Sequence, residues 1–122
     1  MIITDNMTIE TIMDDLAHAY GEDFNWHMIP FSDKFFVNEL KKELEINDPF
    51  LSNDVYAVAK CDSNDDVLFV SGDNTGTREI WRIYHLTYSH NISCGFPAYQ
   101  EFESRKAAAE YIQNQFIEEY LS

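Results

Sequence analysis

His85, Thr87 and the acidic pair Asp65 and Asp66 are the side chains of this sequence best placed by type and spacing to do chemistry together. A histidine beside a hydroxyl can act as general base, and a carboxylate can orient the imidazole. His85 and Thr87 lie two apart in the run REIWRIYHLTYS. On a strand they would share one face, about 7 Å apart. Trp81, Ile83 and Ser89 fall on the same face, and Ile80, Arg82, Tyr84, Leu86 and Tyr88 on the other. The spacing identifies no activated nucleophile and no assembled acid–base–nucleophile set, so no residue is assigned a catalytic role. The simpler reading is a histidine that closes a local hydrogen bond at a strand end. Asp65, Asp66, Trp81, His85 and Thr87 are read instead as binding residues, because aromatics among carboxylates suit a protein-contacting face.

Other patterns fail on stated chemistry. From Asp62, a twelve-residue loop would offer oxygens at Asp62, Asn64 and Asp66, and at Asp73 in the last position. A calcium loop of that kind needs glycine at its sixth position, where Val67 stands. The turn Gly72 to Thr77 lacks the lysine of a phosphate loop, and a strand pattern follows where a helix is required. His85, His90 and Cys94 match no zinc spacing. No metal and no cofactor is therefore expected. Cys61 and Cys94 form no C-x-x-C pair; one disulfide between them is arithmetically possible, and the simpler reading is two half-buried reduced thiols in a cytoplasmic protein.

Charge narrows the partners. The chain has 122 residues, with 8 Lys+Arg against 22 Asp+Glu and a net charge of −14. A field of that sign repels phosphate backbones and anionic lipid, so neither nucleic acid nor membrane is an expected partner. A basic protein is. The oligomeric state stays open, a homodimer included. The start, MIITDNMTIETIMDD, has neither the basic nor the apolar region of a signal peptide. No apolar run is long enough to span a bilayer. The N-x-[ST] matches at Asn6 and Asn91 then carry no weight.

The elements that must hold these residues are legible from periodicity. Ile9, Ile12, Met13, Leu16 and Tyr20 form one helical stripe, predicting a helix over 6–20 with Asp5, Asn6 or Thr8 as cap and Gly21 as its end. GEDFNWHMIPF reads as an aromatic loop lying on the core. Ser32 can cap a second helix, DKFFVNELKKELE, stopped by Asn47-Asp48-Pro49. DVYAVAK, VLFV and REIWRIYHLTYS read as three strands, and AYQEF as a short fourth. Ser104 can cap a last helix, RKAAAEYIQNQFIEEYL. The expected fold is a single α+β domain over 1–122. An antiparallel meander of three to four strands carries two N-terminal helices and one C-terminal helix, packed on one face.

Four segments, Phe36-Val37-Asn38-Glu39-Leu40, Asp65-Asp66-Val67-Leu68-Phe69, His85-Leu86-Thr87-Tyr88-Ser89 and Phe96-Pro97, together resemble a group of small bacterial proteins with a D-D-V-L-F turn and an H-L-T-[WY]-S strand end. The resemblance covers about the last two-thirds of the chain, and Tyr88 stands where tryptophan is typical. It implies a bacterial cytoplasmic origin and transfers no catalytic residue. It implies that Asp66, His85 and Thr87 do more than fill space. A structural role would serve equally, with the Asp66 carboxylate accepting from Thr87 or His85 across adjacent strands.

The function expected from these readings is a non-enzymatic acidic interaction module, of the immunity or antitoxin kind, that binds a basic partner. Two alternatives stand beside it: a small hydrolase or transferase using His85 with Asp65 or Asp66, and a phage-type inhibitor that mimics nucleic-acid charge.

Overall fold

Val67, Leu68, Phe69 and Val70 have no solvent-facing side in the computed structural model, which describes residues 2–4, 6–44, 47–52, 54–72, 79–88 and 97–120. A strand without polar alternation requires cover on both faces, and both are covered. Leu68 and Val70 join Trp81 and Ile83 under the N- and C-terminal helices. Val67 and Phe69 join Tyr84 and Leu86 under the middle helix. The expected packing of all helices on one face is thereby corrected.

Among the described residues the sheet has five strands rather than three or four: β1 (Trp26–Met28), β2 (Val55–Cys61), β3 (Asp66–Ser71), β4 (Ile80–His85) and β5 (Ala98–Phe102). They pair in sequence order, every pair antiparallel, which is the expected meander with one strand added. The added strand, β1, lies in the aromatic loop. Three residues are too few to show a period of two, but Trp26 opposite Cys61 carries the loop into the core. A bulge interrupts β2 between Ala57 and Ala59.

Among the described residues, three α-helices flank the sheet. In α1 (Ile9–Tyr20), Thr8 caps the first turn by accepting from the Thr11 amide at 3.2 Å, and Gly21 ends the helix at φ +69°. Ile9, Ile12, Met13 and Leu16 are buried, as their spacing requires. In α2 (Phe35–Glu43) the start differs from expectation: Asp33, not Ser32, accepts from the Phe35 amide at 2.9 Å. Val37, Leu40 and Leu44 are buried with Phe36 half-buried against the same cluster, and Phe35 is exposed. In α3 (Arg105–Tyr120), Ser104 accepts from the Ala107 amide at 3.0 Å, and Ala108, Ala109, Ile112 and Phe116 are buried. None of the described helices is long and apolar enough to cross a membrane. Asp5 and residues 73–78, together with Ser89, His90, Asn91, Cys94 and Phe96, lie outside the described residues.

Candidate functional site

Antiparallel pairing of β3 with β4 sets Asp66 directly opposite His85. The two side chains meet, His85 Nδ1 lying 2.7 Å from Asp66 Oδ1. A carboxylate accepts only, so the imidazole donates from Nδ1 and turns Nε2 away. Among the described residues nothing bonds that second nitrogen. His85 is 56% exposed and Asp66 17%, so the pair sits at the surface with its acid half sheltered. Of the two alternative donors expected for Asp66, His85 is bonded to it.

The other is not. β4 ends at His85, so alternation no longer fixes where Thr87 points. The Thr87 hydroxyl and amide both donate to Glu43 Oε1 at 2.7 Å, and the Tyr88 amide donates to Glu43 Oε2 at 3.0 Å. Thr87 thus belongs with α2, while His85 belongs with the α3 side of the sheet. Glu43 is only 2% exposed. It ends α2, where the helix dipole disfavours an anion, and the three donors offset that cost. Tyr88 adopts φ +56°, a left-handed backbone that costs a non-glycine residue roughly 1 kcal/mol. The Glu43 bonds to Thr87 and Tyr88 hold it there.

Trp81 does not join this group. It is buried under α1 and α3, at the opposite end of β4 from His85. It lines an apolar cavity of about 320 Å³ with Ile9, Met28, Ile29, Tyr56 and Val70. Among the described residues, Glu10 is the one charged residue on that wall, and a ligand site needs several converging polar groups. The expectation of Trp81 as a contact residue is corrected: helix cover makes it core. Asp65 lies in the exposed β2–β3 turn, where its carbonyl accepts from the Leu86 amide at 3.2 Å.

A smaller pocket, about 180 Å³, opens beside the His85–Asp66 pair. Ile83, Ala98, Tyr99, Gln100 and Tyr111 complete its wall. Burial raises the Tyr111 phenol above its ordinary pKa, and the charges of Asp66, Glu118 and Glu119 push the same way. Gln115 donates to that phenol at 2.8 Å. Tyr88 is raised first by burial and then by Asp65, Glu39 and Glu43. The turn meets α3 where Ser63 and Tyr120 bring their hydroxyls to 3.4 Å. At this end of the molecule Asp65 lies near Tyr88, Asp66, Glu118 and Glu119 lie near Tyr111, and Tyr120 sits against the turn that carries Asp62. The nearby Lys60 ammonium is spent inside the turn, donating to the carbonyls of Cys61 and Asn64.

On the other face, Arg82 is 14% exposed. It donates to Glu101 at 2.9 Å and to the Tyr84 hydroxyl at 2.6 Å, with its guanidinium carbon 4.7 Å from the Phe50 ring centre and 4.2 Å from that of Tyr99. Burial opposes its charge, yet the bonds to Tyr84 and Glu101 leave its pKa raised. Its Nε and Nη1 donors and the flat face of its guanidinium are engaged by structure, so this cluster is a tie between β4 and β5.

No group of three or more His, Cys, Asp or Glu side chains is placed to hold a metal among the described residues. Cys61 is a buried free thiol 3.7 Å from the Asn25 amide nitrogen. Sequence reasoning missed Glu43, Tyr88 and Tyr111. Only Glu43 left a signal, a carboxylate one position before Leu44 and three after Leu40, on the helix's apolar side. Comparison with protein-family models, with curated proteins and with solved structures finds no match to this chain.

Proposed function

We propose that this protein is a non-enzymatic, cytoplasmic interaction module that captures a basic protein, as immunity and antitoxin proteins do. The observation that carries this reading is the acidic, tyrosine-bearing end of the molecule formed by the β2–β3 turn, the end of β4 and the last turns of α3. Asp62 and Asp65 are exposed there, as are Glu118, Glu119 and Tyr120. Carboxylates steer a cationic partner into encounter, and tyrosines give contact area at low entropic cost.

The acid–base alternative draws on one observation, the 2.7 Å approach of His85 to Asp66 beside a pocket. Similar pairing recurs at His18 with Asp14 and at His27 with Asp62. In a chain so rich in carboxylates, a His–Asp pair is what a surface histidine ordinarily finds. Asp65 does not join the pair, and Thr87 is committed to Glu43.

The test compares two variants of equal net charge. One neutralises the proposed face (Asp62→Asn, Asp65→Asn, Glu118→Gln, Glu119→Gln). The other neutralises α1 and the turn after it (Glu10→Gln, Asp14→Asn, Asp15→Asn, Glu22→Gln). Association with a panel of immobilised basic proteins is measured against ionic strength. The reading expects one-to-one binding whose on-rate falls steeply with salt, lost in the first variant and kept in the second. Equal loss in both would reduce the effect to bulk charge and refute the reading.

A further inference from the structure

We infer that the pocket between β4, β5 and α3 receives a single guanidinium group, an arginine side chain of the basic partner. The inference rests on the interaction reading above and names the contact at its centre. The cavity is about 180 Å³, below the roughly 300 Å³ at which pockets for drug-sized ligands begin. It suits one side chain and not a cofactor. Its polar groups converge from three elements: the Asp66 carboxylate from β3, the Gln100 amide from β5 and the Tyr111 phenol from α3, with the His85 ring beside them.

These groups have a common preference. Asp66 uses Oδ1 to hold His85, and its second oxygen carries the remaining acceptor capacity. Glu118 and Glu119 lie near enough to act on Tyr111, so the field at the pocket is negative. Among the described residues, no lysine or arginine lines it. An anion is therefore disfavoured and a cation favoured. The flat imidazole and phenol rings select among cations, because a planar guanidinium stacks on aromatic faces and forks its donors to a carboxylate, whereas an ammonium does neither as well. The chain already solves the same problem on the other face of this sheet, where Arg82 lies against Phe50 and Tyr99 and pairs with Glu101.

The probes are acetylated tetra-arginine and tetra-lysine peptides, titrated into the folded protein. The readouts are affinity and the nuclear magnetic resonance shifts of the His85 and Tyr111 ring protons. Tetra-arginine is expected to move both sets of signals and to bind about tenfold more tightly than tetra-lysine. Asp66→Asn removes the carboxylate and is expected to cost arginine binding about tenfold or more. Because that variant also loses the tie to His85, a second is needed. Gln100→Arg lies on the exposed strand β5 and is expected to fill the pocket with its own guanidinium and abolish the preference. Asn114→Arg adds the same charge on the exposed side of α3 and is expected to keep it. Equal affinity for the two peptides, with Gln100→Arg no worse than Asn114→Arg, would overturn the inference and leave the acidic face standing. Failure of both peptides to bind would remove the pocket and the interaction reading together.

Discussion

Glu43→Gln is the substitution that most directly tests how the end of β4 is held. The native carboxylate accepts from the Thr87 amide, the Thr87 hydroxyl and the Tyr88 amide. A hydrogen bond to a charged group contributes about 1.5–3 kcal/mol, so three set an upper bound near 5–9 kcal/mol. Most of that is offset by desolvating a carboxylate that is 2% exposed and by the unfavourable helix C-terminus. Glutamine keeps one acceptor oxygen and turns an NH2 towards a donor. A net loss of about 2–3 kcal/mol follows, or roughly 10 °C in Tm for a chain of this size. Urea unfolding followed by the fluorescence of Trp26 and Trp81 measures it. Thr87→Val removes one of the three bonds and should cost about 1 kcal/mol, less than additively with Glu43→Gln. Glu10→Gln, which removes the same charge from an exposed site, serves as control. Should Glu43→Gln fall within about 0.5 kcal/mol of the parent, a typical surface effect, the carboxylate is not what fixes Thr87 and Tyr88.

Three further outcomes are expected. Burial pushes the Tyr84 phenol up to about 12, so folding favours its neutral form. That stability is fully present below the ordinary value near 10 and is lost as pH climbs through 12, a decline of about 2–3 kcal/mol in denaturation curves that Tyr84→Phe should flatten. Arg82→Lys keeps the charge but loses the flat contact with Phe50 and Tyr99 and the fork to Glu101 and Tyr84, and should cost about 1–2 kcal/mol by the same assay. In a Cys94→Ser background, Cys61 should resist a thiol-alkylating reagent until denaturant is added; rapid labelling of the folded protein, read by mass spectrometry, would contradict its burial.

The α+β class, the three helices and four of the five strands could be read from periodicity, because each of those segments is long enough to repeat its pattern. β1 could not, being three residues inside a run of aromatics. The placement of α2 was also hidden. VLFV announces cover on both faces, but nothing local says which helix crosses to the second one. The site divides in the same way. Asp66 and His85 meet because a strand pair aligns them, and the spacing of D-D-V-L-F from H-L-T-Y-S hinted at that. Glu43 reaches Thr87 across 44 residues of chain, and Tyr111 reaches the pocket from the last helix. Such contacts follow from tertiary packing, and no window of sequence contains them.

The double-sided burial of β3 leaves a problem of alignment. Sliding that strand by one residue would exchange Val67 and Phe69 for Leu68 and Val70, and both sets are oily, so the hydrophobic effect scarcely tells the two arrangements apart. The polar marks do: Asp66 facing His85 at one end, and the Ser71 hydroxyl donating to the Phe50 carbonyl at 2.7 Å at the other. They act as keys that admit one of two nearly equal fits. A chain carrying Asp66→Asn and Ser71→Ala together should still fold but show doubled amide signals along β3, and a single sharp set would mean that the keys lie elsewhere.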